Sequence, residues 1–286
     1  MSYRIHPLVS VLFVMISVVP ELMAQGPSSM PKYSGIENIG KRDINRGQSN
    51  FTSPAVETRL GQQAAAELER NVTLVDDADI QRYVDRITQN IAKNSDAKFP
   101  ITIKVIRSND VNATALPGGF IYINTGTIKA AENEAELAFV IAHLIGHVAA
   151  RHATENSSKA AVLQIAAIPA ITLTGGVLGT AIQQQSQIAL PTVKFSFSRG
   201  AVKEADFLGL EYLYQAGYAP QAAVTFLRKL EALEVSAPKQ STLFNSHPPT
   251  SERITLTEKH IKLVLPTRAN HTTNTSEFDE IKARVK

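Results

Sequence analysis

The feature that most constrains the fold is an apolar stretch, Glu134 to His152, which carries two histidines four residues apart. Its composition predicts a buried helix. On a helix, His143 and His147 lie on one face, one turn apart. Two imidazoles in that arrangement can bind one metal ion from the same side. The stretch therefore has the spacing of a metal-binding helix.

The residue after the first histidine decides whether such a helix can hydrolyse peptides. In the zinc-peptidase motif His-Glu-x-x-His, the glutamate beside the first histidine is the general base. Leu144 stands at that position, and a leucine side chain accepts no proton from a metal-bound water. General-base assistance is worth about 10²–10⁴-fold in rate. The sequence thus predicts the scaffold of a zinc-peptidase helix without its catalytic base.

Composition excludes several other classes of protein. Hydrophobic residues make up 44% of the chain and charged residues 19%, which is typical of a globular protein. The net charge of +3 is small and scattered, so we expect no nucleic-acid partner. The chain has no cysteine, which excludes disulfides, thiolate metal sites, a cysteine nucleophile and a lipidated cysteine.

The first residues have the pattern of an export signal. Arg4 precedes an apolar run over 8–19, and Ala24 ends a stretch suited to cleavage. We therefore expect an exported protein of the bacterial periplasm or envelope, with a disordered or anchoring N-terminus as the alternative. The predicted organisation has four parts: a signal peptide over 1–24, a flexible linker over 25–55, a folded domain over 56–265 and a polar C-terminal tail over 266–286.

Two stretches of alternating apolar and polar residues predict strands. The first is Phe99 to Ile106, and the second is Ala113 to Asn124, interrupted by Pro-Gly-Gly. A strand with a proline and two glycines is usually an edge strand. An edge strand beside a peptidase-like helix can pair with an extended peptide, whereas a hairpin turn explains the same residues equally well. The candidate peptide-binding edge consists of Leu116, Pro117, Gly118 and Gly119.

Residues 162–182 form an apolar run of about the length that spans a membrane. Pro169 and the pair Gly175-Gly176 divide it. We favour two short helices of a globular domain, one of which lies on a membrane surface or over the cleft. A transmembrane helix is the alternative.

Seven motifs together resemble those of the HtpX-like and CAAX-prenyl-protease-like zinc metallopeptidases, in particular their exported BepA-like bacterial branch. The resemblance covers about residues 56–265. It implies an α+β fold: a mostly helical, zincin-like domain with a small sheet whose edge strand borders the cleft. The motifs follow the family's order: Asn112–Tyr122, Asn133–Ala138, His143–His152, Ser198-Arg199, Glu204–Leu210, Ala216–Pro220 and Ser246–Arg253.

The resemblance also implies which residues hold zinc. Family members bind zinc through the two histidines and through a glutamate that lies four residues before an aspartate. Asp206 corresponds to that aspartate. Val202 stands at the glutamate's position. Asp206 itself can orient an imidazole by accepting from the ring nitrogen that does not bind the metal. His247, in a proline-stiffened loop that the family places near the cleft, is a substitute third ligand. Zinc is therefore the implied cofactor, with weak or absent binding in this chain.

Two further ionisable residues are predicted to lie off the metal-binding face. Glu204 is two positions beyond Val202, and two residues turn a helix by about 200°. His152 is five residues beyond His147 and is interpreted as structural. Without a metal, the histidine pair itself would be two core residues.

Three functional hypotheses follow. The first is a catalytically impaired pseudopeptidase that binds extended or misfolded polypeptide without cutting it. The second is a working zinc endopeptidase of envelope protein quality control with a rearranged metal site. The third is a non-catalytic assembly subunit for which the groove is irrelevant. The double loss of Glu at Leu144 and Val202 favours the first, because unpaired buried carboxylates are costly once the metal is absent.

Overall fold

A computed structural model describes residues 35–155, 197–236 and 250–285. The predicted signal peptide, the linker up to residue 34, the apolar run 162–182 and His247 lie outside these residues. None of the helices in the described ranges is long and apolar enough to cross a membrane.

The described part is mostly helical with a small three-stranded sheet, as expected for an α+β domain. The helices are α1 (Pro54–Asn71), α2 (Ala78–Lys93), α3 (Thr125–Ala130), α4 (Glu134–Ala149), α5 (Arg199–Gln215), α6 (Gln221–Ser236), α7 (Thr250–Leu263) and α8 (Ser276–Arg284). The strands are β1 (Thr102–Ile106), β2 (Ala113–Leu116) and β3 (Phe120–Asn124).

Short polar side chains start the helices that frame the candidate site. Asn133 accepts from the backbone N–H of Glu136 at the start of α4, and Ser198 accepts from that of Ala201 at the start of α5. These bonds satisfy N–H groups that have no partner within the helix. The first residues of the two site helices are therefore set by local chemistry.

The sheet has the strand order β1-β3-β2, so β1 and β2 are its edges. β1 runs parallel to β3, and β2 runs antiparallel to it. The single interrupted strand predicted over 113–124 is in fact two strands joined by a turn at Pro117–Gly119. Gly118 and Gly119 have φ values of 74° and 95°, which β-carbon-bearing residues rarely adopt. Both interpretations of Pro-Gly-Gly thus describe part of the arrangement: β2 is an edge, and the glycines make the turn.

The segment just before α1 differs from the flexible linker that the sequence predicted. The guanidinium of Arg42 lies 2.5 Å from Asp96 and 2.6 Å from Glu211, and all three side chains are almost fully buried. Ile44 is also buried. A segment with charged residues and few apolar ones has the composition of a linker. Here, however, two carboxylates that are distant in sequence neutralise the buried Arg42. Residues from Gly35 onward belong to the domain.

The C-terminal segment also differs from the predicted polar tail. It forms α8, in which Phe278 and Ile281 are buried. Thr275 caps the helix through the backbone N–H of Phe278, and Arg284 pairs with Asp77 at 3.0 Å. Two apolar side chains among many polar ones suffice to dock a short helix, because they lie on one face.

Candidate functional site

The histidine helix α4 is buried along its whole length. The side chains of His143 and His147 lie on one face, with ring centroids 4.8 Å apart and ring planes at 81°. This is the one-turn relationship that their spacing predicts. The helix therefore presents two neighbouring imidazoles to the interior of the protein.

Helix α5 packs against α4 through two glycines. A β-carbon added at Gly146 would lie 2.9 Å from the carbonyl oxygen of Ala205, and one at Gly209 would lie 2.8 Å from the Cα of His143. The later residue in α4, Gly146, contacts the earlier residue in α5, Ala205, and the earlier residue in α4, His143, contacts Gly209. The two helices are therefore antiparallel. Val202, three residues before Ala205, consequently lies level with the C-terminal end of α4, beyond His147.

Asp206 is held between the histidine helix and α7. Its Oδ1 lies 2.9 Å from Nδ1 of His143, and Arg253 donates to both carboxylate oxygens at 2.7 and 2.8 Å. Burial alone would raise the pKa of Asp206, but the charge and hydrogen bonds of Arg253 and the contact with His143 outweigh it and lower that pKa. Burial lowers the pKa of His143, and Asp206 opposes this effect. The aspartate is a carboxylate positioned to orient the imidazole.

His147 also has a polar partner, which sequence reasoning missed. Its Nδ1 lies 3.0 Å from Nδ1 of His152, and Nε2 of His152 lies 3.2 Å from Oε2 of Glu204. The sequence predicted that Glu204 and His152 lie off the metal-binding face, and the structure connects both of them to His147 through this chain of contacts. The contact could have been predicted from the rule that a buried polar side chain has a hydrogen-bond partner, since an imidazole and a carboxylate can pair.

The two substituted positions are aliphatic and buried. Leu144 is 3% exposed and Val202 is fully buried. Neither can bind a metal or move a proton, and zinc sites that catalyse use three protein ligands and a water. In the part of the chain that the structure describes, no three His, Asp or Glu side chains are arranged to hold one ion. These residues do not fit a catalytic zinc site.

The candidate peptide edge lies beside the histidines. A cleft is lined by residues of β2 and the following turn and by residues of α4, among them Ala115, Leu116, Pro117 and His147. Phe197, just before α5, stacks on His147 with ring centroids 3.8 Å apart and ring planes at 25°. Gly118 and Gly119 belong to the turn, where Gly118 packs against Thr58 and Gly119 against Pro100. The structure thus brings the predicted edge and the predicted metal helix together.

The two edges of the sheet differ in how they are closed. Along β1, carbonyl oxygens accept from Gln89 at Ile101, from Gln81 at Ile103 and from the backbone of Val75 at Val105. Along β2, we find no backbone hydrogen bond to any strand other than β3 within the described ranges. Among these residues, the carbonyl oxygens of the β1 edge are therefore capped, whereas β2, next to His147, shows main-chain bonds to β3 alone, although Ala115 is buried.

Comparison with known proteins gives concordant matches. The model of peptidase family M48 matches residues 78–260. The chain is 28% identical over 231 residues to the beta-barrel assembly-enhancing protease of Escherichia coli, covering 74% of this chain and 45% of that protein. It is 30% identical over 210 residues to metalloprotease LoiP of Escherichia coli, covering 72% and 81%. The chain spans less than half the length of the beta-barrel assembly-enhancing proteases that it matches.

Proposed function

The chain belongs to peptidase family M48, and from that premise we propose that it is a pseudopeptidase that binds extended polypeptide along β2 without cleaving it. One observation carries the proposal. The edge strand β2 borders His147, while the positions of the catalytic base and the third zinc ligand hold the buried side chains of Leu144 and Val202.

The main-chain groups that β2 offers follow from its register. Ala113 lies opposite Ile123, and the N–H of Asn124 donates to the carbonyl of Asn112. Antiparallel residues alternate between bonding their partner strand and facing away from it. Ala113 and Ala115 therefore face outward. The side chain of Asn112 already accepts from the N–H of Ala113. The carbonyl of Ala113 and both groups of Ala115 remain for an incoming strand, which reaches Ala115, 2% exposed, only when the residues that bury it move aside.

Three unpaired main-chain groups in a row suit strand addition. In this mode of binding, backbone hydrogen bonds supply affinity and do not require a particular sequence. A binder of this kind recognises polypeptide that is extended, as in an unfolded or misfolded protein. The bonds from Gln81 and Gln89 to carbonyl oxygens at the β1 edge favour pairing at the other edge.

The same site lacks what hydrolysis needs. A water bound to a metal must lose a proton to a base, and Leu144 supplies none. Val202 supplies no metal ligand at the position of the third one. We therefore expect binding with no measurable cleavage.

The test compares two substitutions at one position. Ala115→Pro removes the outward N–H, and proline is tolerated in an edge strand where its N–H side faces away from the sheet. Ala115→Ser keeps that N–H and serves as the matched control. We expect the parent and the serine variant to bind a fluorescein-labelled unfolded casein with equal affinity, and the proline variant to bind it much more weakly. Equal affinity of all three would exclude binding along β2.

A working endopeptidase is the second candidate, favoured by the contact of Asp206 with His143. A carboxylate that orients an imidazole is the kind of support that metal ligands have. In this case His247 would complete the metal site. Chelator-sensitive cleavage of casein by the parent, lost in His143→Ala, would establish this function in place of the first.

Export is part of the proposal. The N-terminal pattern of residues 1–24 and the match to bacterial relatives support a place in the periplasm or envelope. The clients would then be envelope polypeptides in an extended state. Cell fractionation of the full chain, with and without residues 1–24, tests this location.

A further inference from the structure

A groove lies between α1 and the edge strand β1, on the face of the sheet that packs on α1. Its volume is about 300 Å³, which falls at the lower end of the range of about 300–1,000 Å³ that is typical of ligand sites. The residues that line it include Ala65, Ala66, Glu69, Lys104, Phe120 and Tyr122. It shares no lining residue with the cleft beside β2 and is a separate site.

The groove exists because α1 touches the rest of the domain at both of its ends and carries alanines between them. Near the start of the helix, the backbone at Gly61 packs against the turn between β2 and β3 with no room for a β-carbon. Near its end, Leu68 packs against the cluster that contains Ile106. A methyl group is a short side chain, so Ala65 and Ala66 leave space open toward β1.

The middle of the groove is apolar. Phe120 lies opposite Thr102 and Tyr122 lies opposite Lys104 in the pairing of β3 with β1, so these four side chains are on one face of the sheet. The ring of Phe120 is only partly buried, and Ala66 is exposed. Apolar surface in a concave site is favourably covered by an apolar ligand. We therefore expect the body of a ligand to be apolar.

One end of the groove carries a charged pair. Oε1 of Glu69 accepts from the ammonium of Lys104 at 2.7 Å and from the hydroxyl of Tyr122 at 2.5 Å. The bond from Lys104, followed by that from Tyr122, lowers the pKa of Glu69, which is therefore a carboxylate at neutral pH. The side chain of Lys104 is 48% exposed and that of Glu69 is 27% exposed. An ammonium has three N–H donors, so the charge that a ligand meets first at this end is positive.

We propose that this groove binds one molecule of an anionic amphiphile, an alkyl carboxylate, with its chain along Phe120 and Ala66 and its head group at Lys104. The apolar walls supply most of the affinity, and the ammonium fixes the orientation, which is the usual division in ligand sites. A cationic head group on the same chain would be repelled by that ammonium. The proposal needs no binding of peptide at β2 and is independent of the proposed function.

The experiment titrates the full chain with sodium decanoate and with decyltrimethylammonium, each below the concentration at which it forms micelles, by isothermal titration calorimetry. Ala66→Leu fills the groove from an exposed helix position at which leucine is well tolerated. Lys104→Gln removes the positive charge. The matched controls are Ala55→Leu, at an exposed position of the same helix, and Lys259→Gln, at an exposed position of α7, since neither residue lines the groove.

The parent and both controls should bind decanoate and should bind the cationic amphiphile more weakly. Ala66→Leu should bind decanoate at least about tenfold more weakly, because each methylene left in water forfeits about fourfold in affinity. Lys104→Gln should weaken decanoate by up to about fivefold, as expected for an exposed ion pair, and should remove the preference for the anionic head group.

Three outcomes would overturn the proposal. Equal binding of the two amphiphiles by the parent would contradict the role of Lys104. Decanoate binding that Ala66→Leu leaves unchanged would place the ligand outside the groove. The third outcome is a parent that binds no decanoate, and binding of that parent to phosphatidylglycerol vesicles would then assign the surface to membrane contact instead of to a single amphiphile.

Discussion

Gly209 lies so close to His143 that a β-carbon at position 209 would come within 2.8 Å of the Cα and N atoms of that histidine. The contact joins the backbones of α4 and α5 with no side chain between them. It also lies within one turn of Asp206, whose carboxylate contacts the His143 imidazole. The distance between two helices at one glycine thus decides whether the carboxylate reaches the ring.

Gly209→Ala should push α5 away from α4. The new methyl meets backbone that cannot rotate aside, and overpacking of this kind lowers the free energy of unfolding by about 1–3 kcal/mol. Urea unfolding measures the change. The matched control is Gly200→Ala in the same helix, where the nearest neighbour, Oγ of Ser198, is 3.9 Å away. That variant should be neutral or more stable by up to about 1 kcal/mol, and an equal loss in both variants would contradict the prediction.

Restoring glutamate at the two aliphatic positions should recreate a zinc dependence. Leu144→Glu with Val202→Glu places two carboxylates in a buried site, so we expect the metal-free protein to lose about 2 kcal/mol or more of unfolding free energy. Added zinc should recover that loss, because a ligand that binds only the folded state stabilises it. Thermal unfolding with zinc and with chelator measures both effects.

The control for this prediction is His143→Ala in the doubly substituted background, which should abolish the stabilisation by zinc. The parent protein should show a much smaller shift with zinc than the double variant. A parent that zinc stabilises as strongly as the double variant would mean that its metal site is already complete, and would favour the working peptidase.

Arg42 should contribute strongly to stability. Arg42→Met leaves Asp96 and Glu211 buried without their guanidinium partner, and breaking such a pair costs about 3–5 kcal/mol of unfolding free energy. Arg70→Met is the control, because Arg70 pairs with Glu67 while 72% and 57% of the two side chains are exposed. An exposed pair is worth about 1 kcal/mol or less. A loss in Arg42→Met as small as that in Arg70→Met would contradict the prediction.

Stability should fall in alkaline solution because of two buried tyrosines. Burial, followed by the charge of Glu134 and a hydrogen bond to it, raises the pKa values of Tyr83 and Tyr218 above their usual range. Both phenols keep their protons in the folded state while the unfolded state releases them near pH ~10. Their contribution is therefore complete below about pH 10 and declines as the pH rises further.

Urea unfolding from about pH 8 to about pH 11 tests this dependence. Each such group adds up to about 1.4 kcal/mol per pH unit to the downward slope. Tyr83→Phe with Tyr218→Phe lowers the stability at every pH, since Glu134 loses two donors, but should flatten the alkaline slope. An unchanged slope would assign the alkaline loss to other groups.

The histidine helix α4 could be predicted from the sequence because the pattern that indicates it is local. The spacing of His143 and His147 places two rings on one face of any helix, and the observed 4.8 Å ring separation follows from it. The limits of α2 follow from Asp77 and from the apolar period of the residues after it. Pro-Gly-Gly predicted a special backbone conformation, but not that it joins two strands, since pairing partners are not encoded in one stretch.

The sequence by itself determined the metallopeptidase scaffold, the order of its elements and the loss of the base and third-ligand side chains at Leu144 and Val202, because each depends on residue identity or on helix periodicity. Only the tertiary structure decided that Arg42 belongs to the core, that the edge strand β2 lies beside His147, and that Glu204 reaches His147 through His152. These relationships join residues far apart in the chain. They depend on how closely packed elements approach one another, which no local pattern specifies.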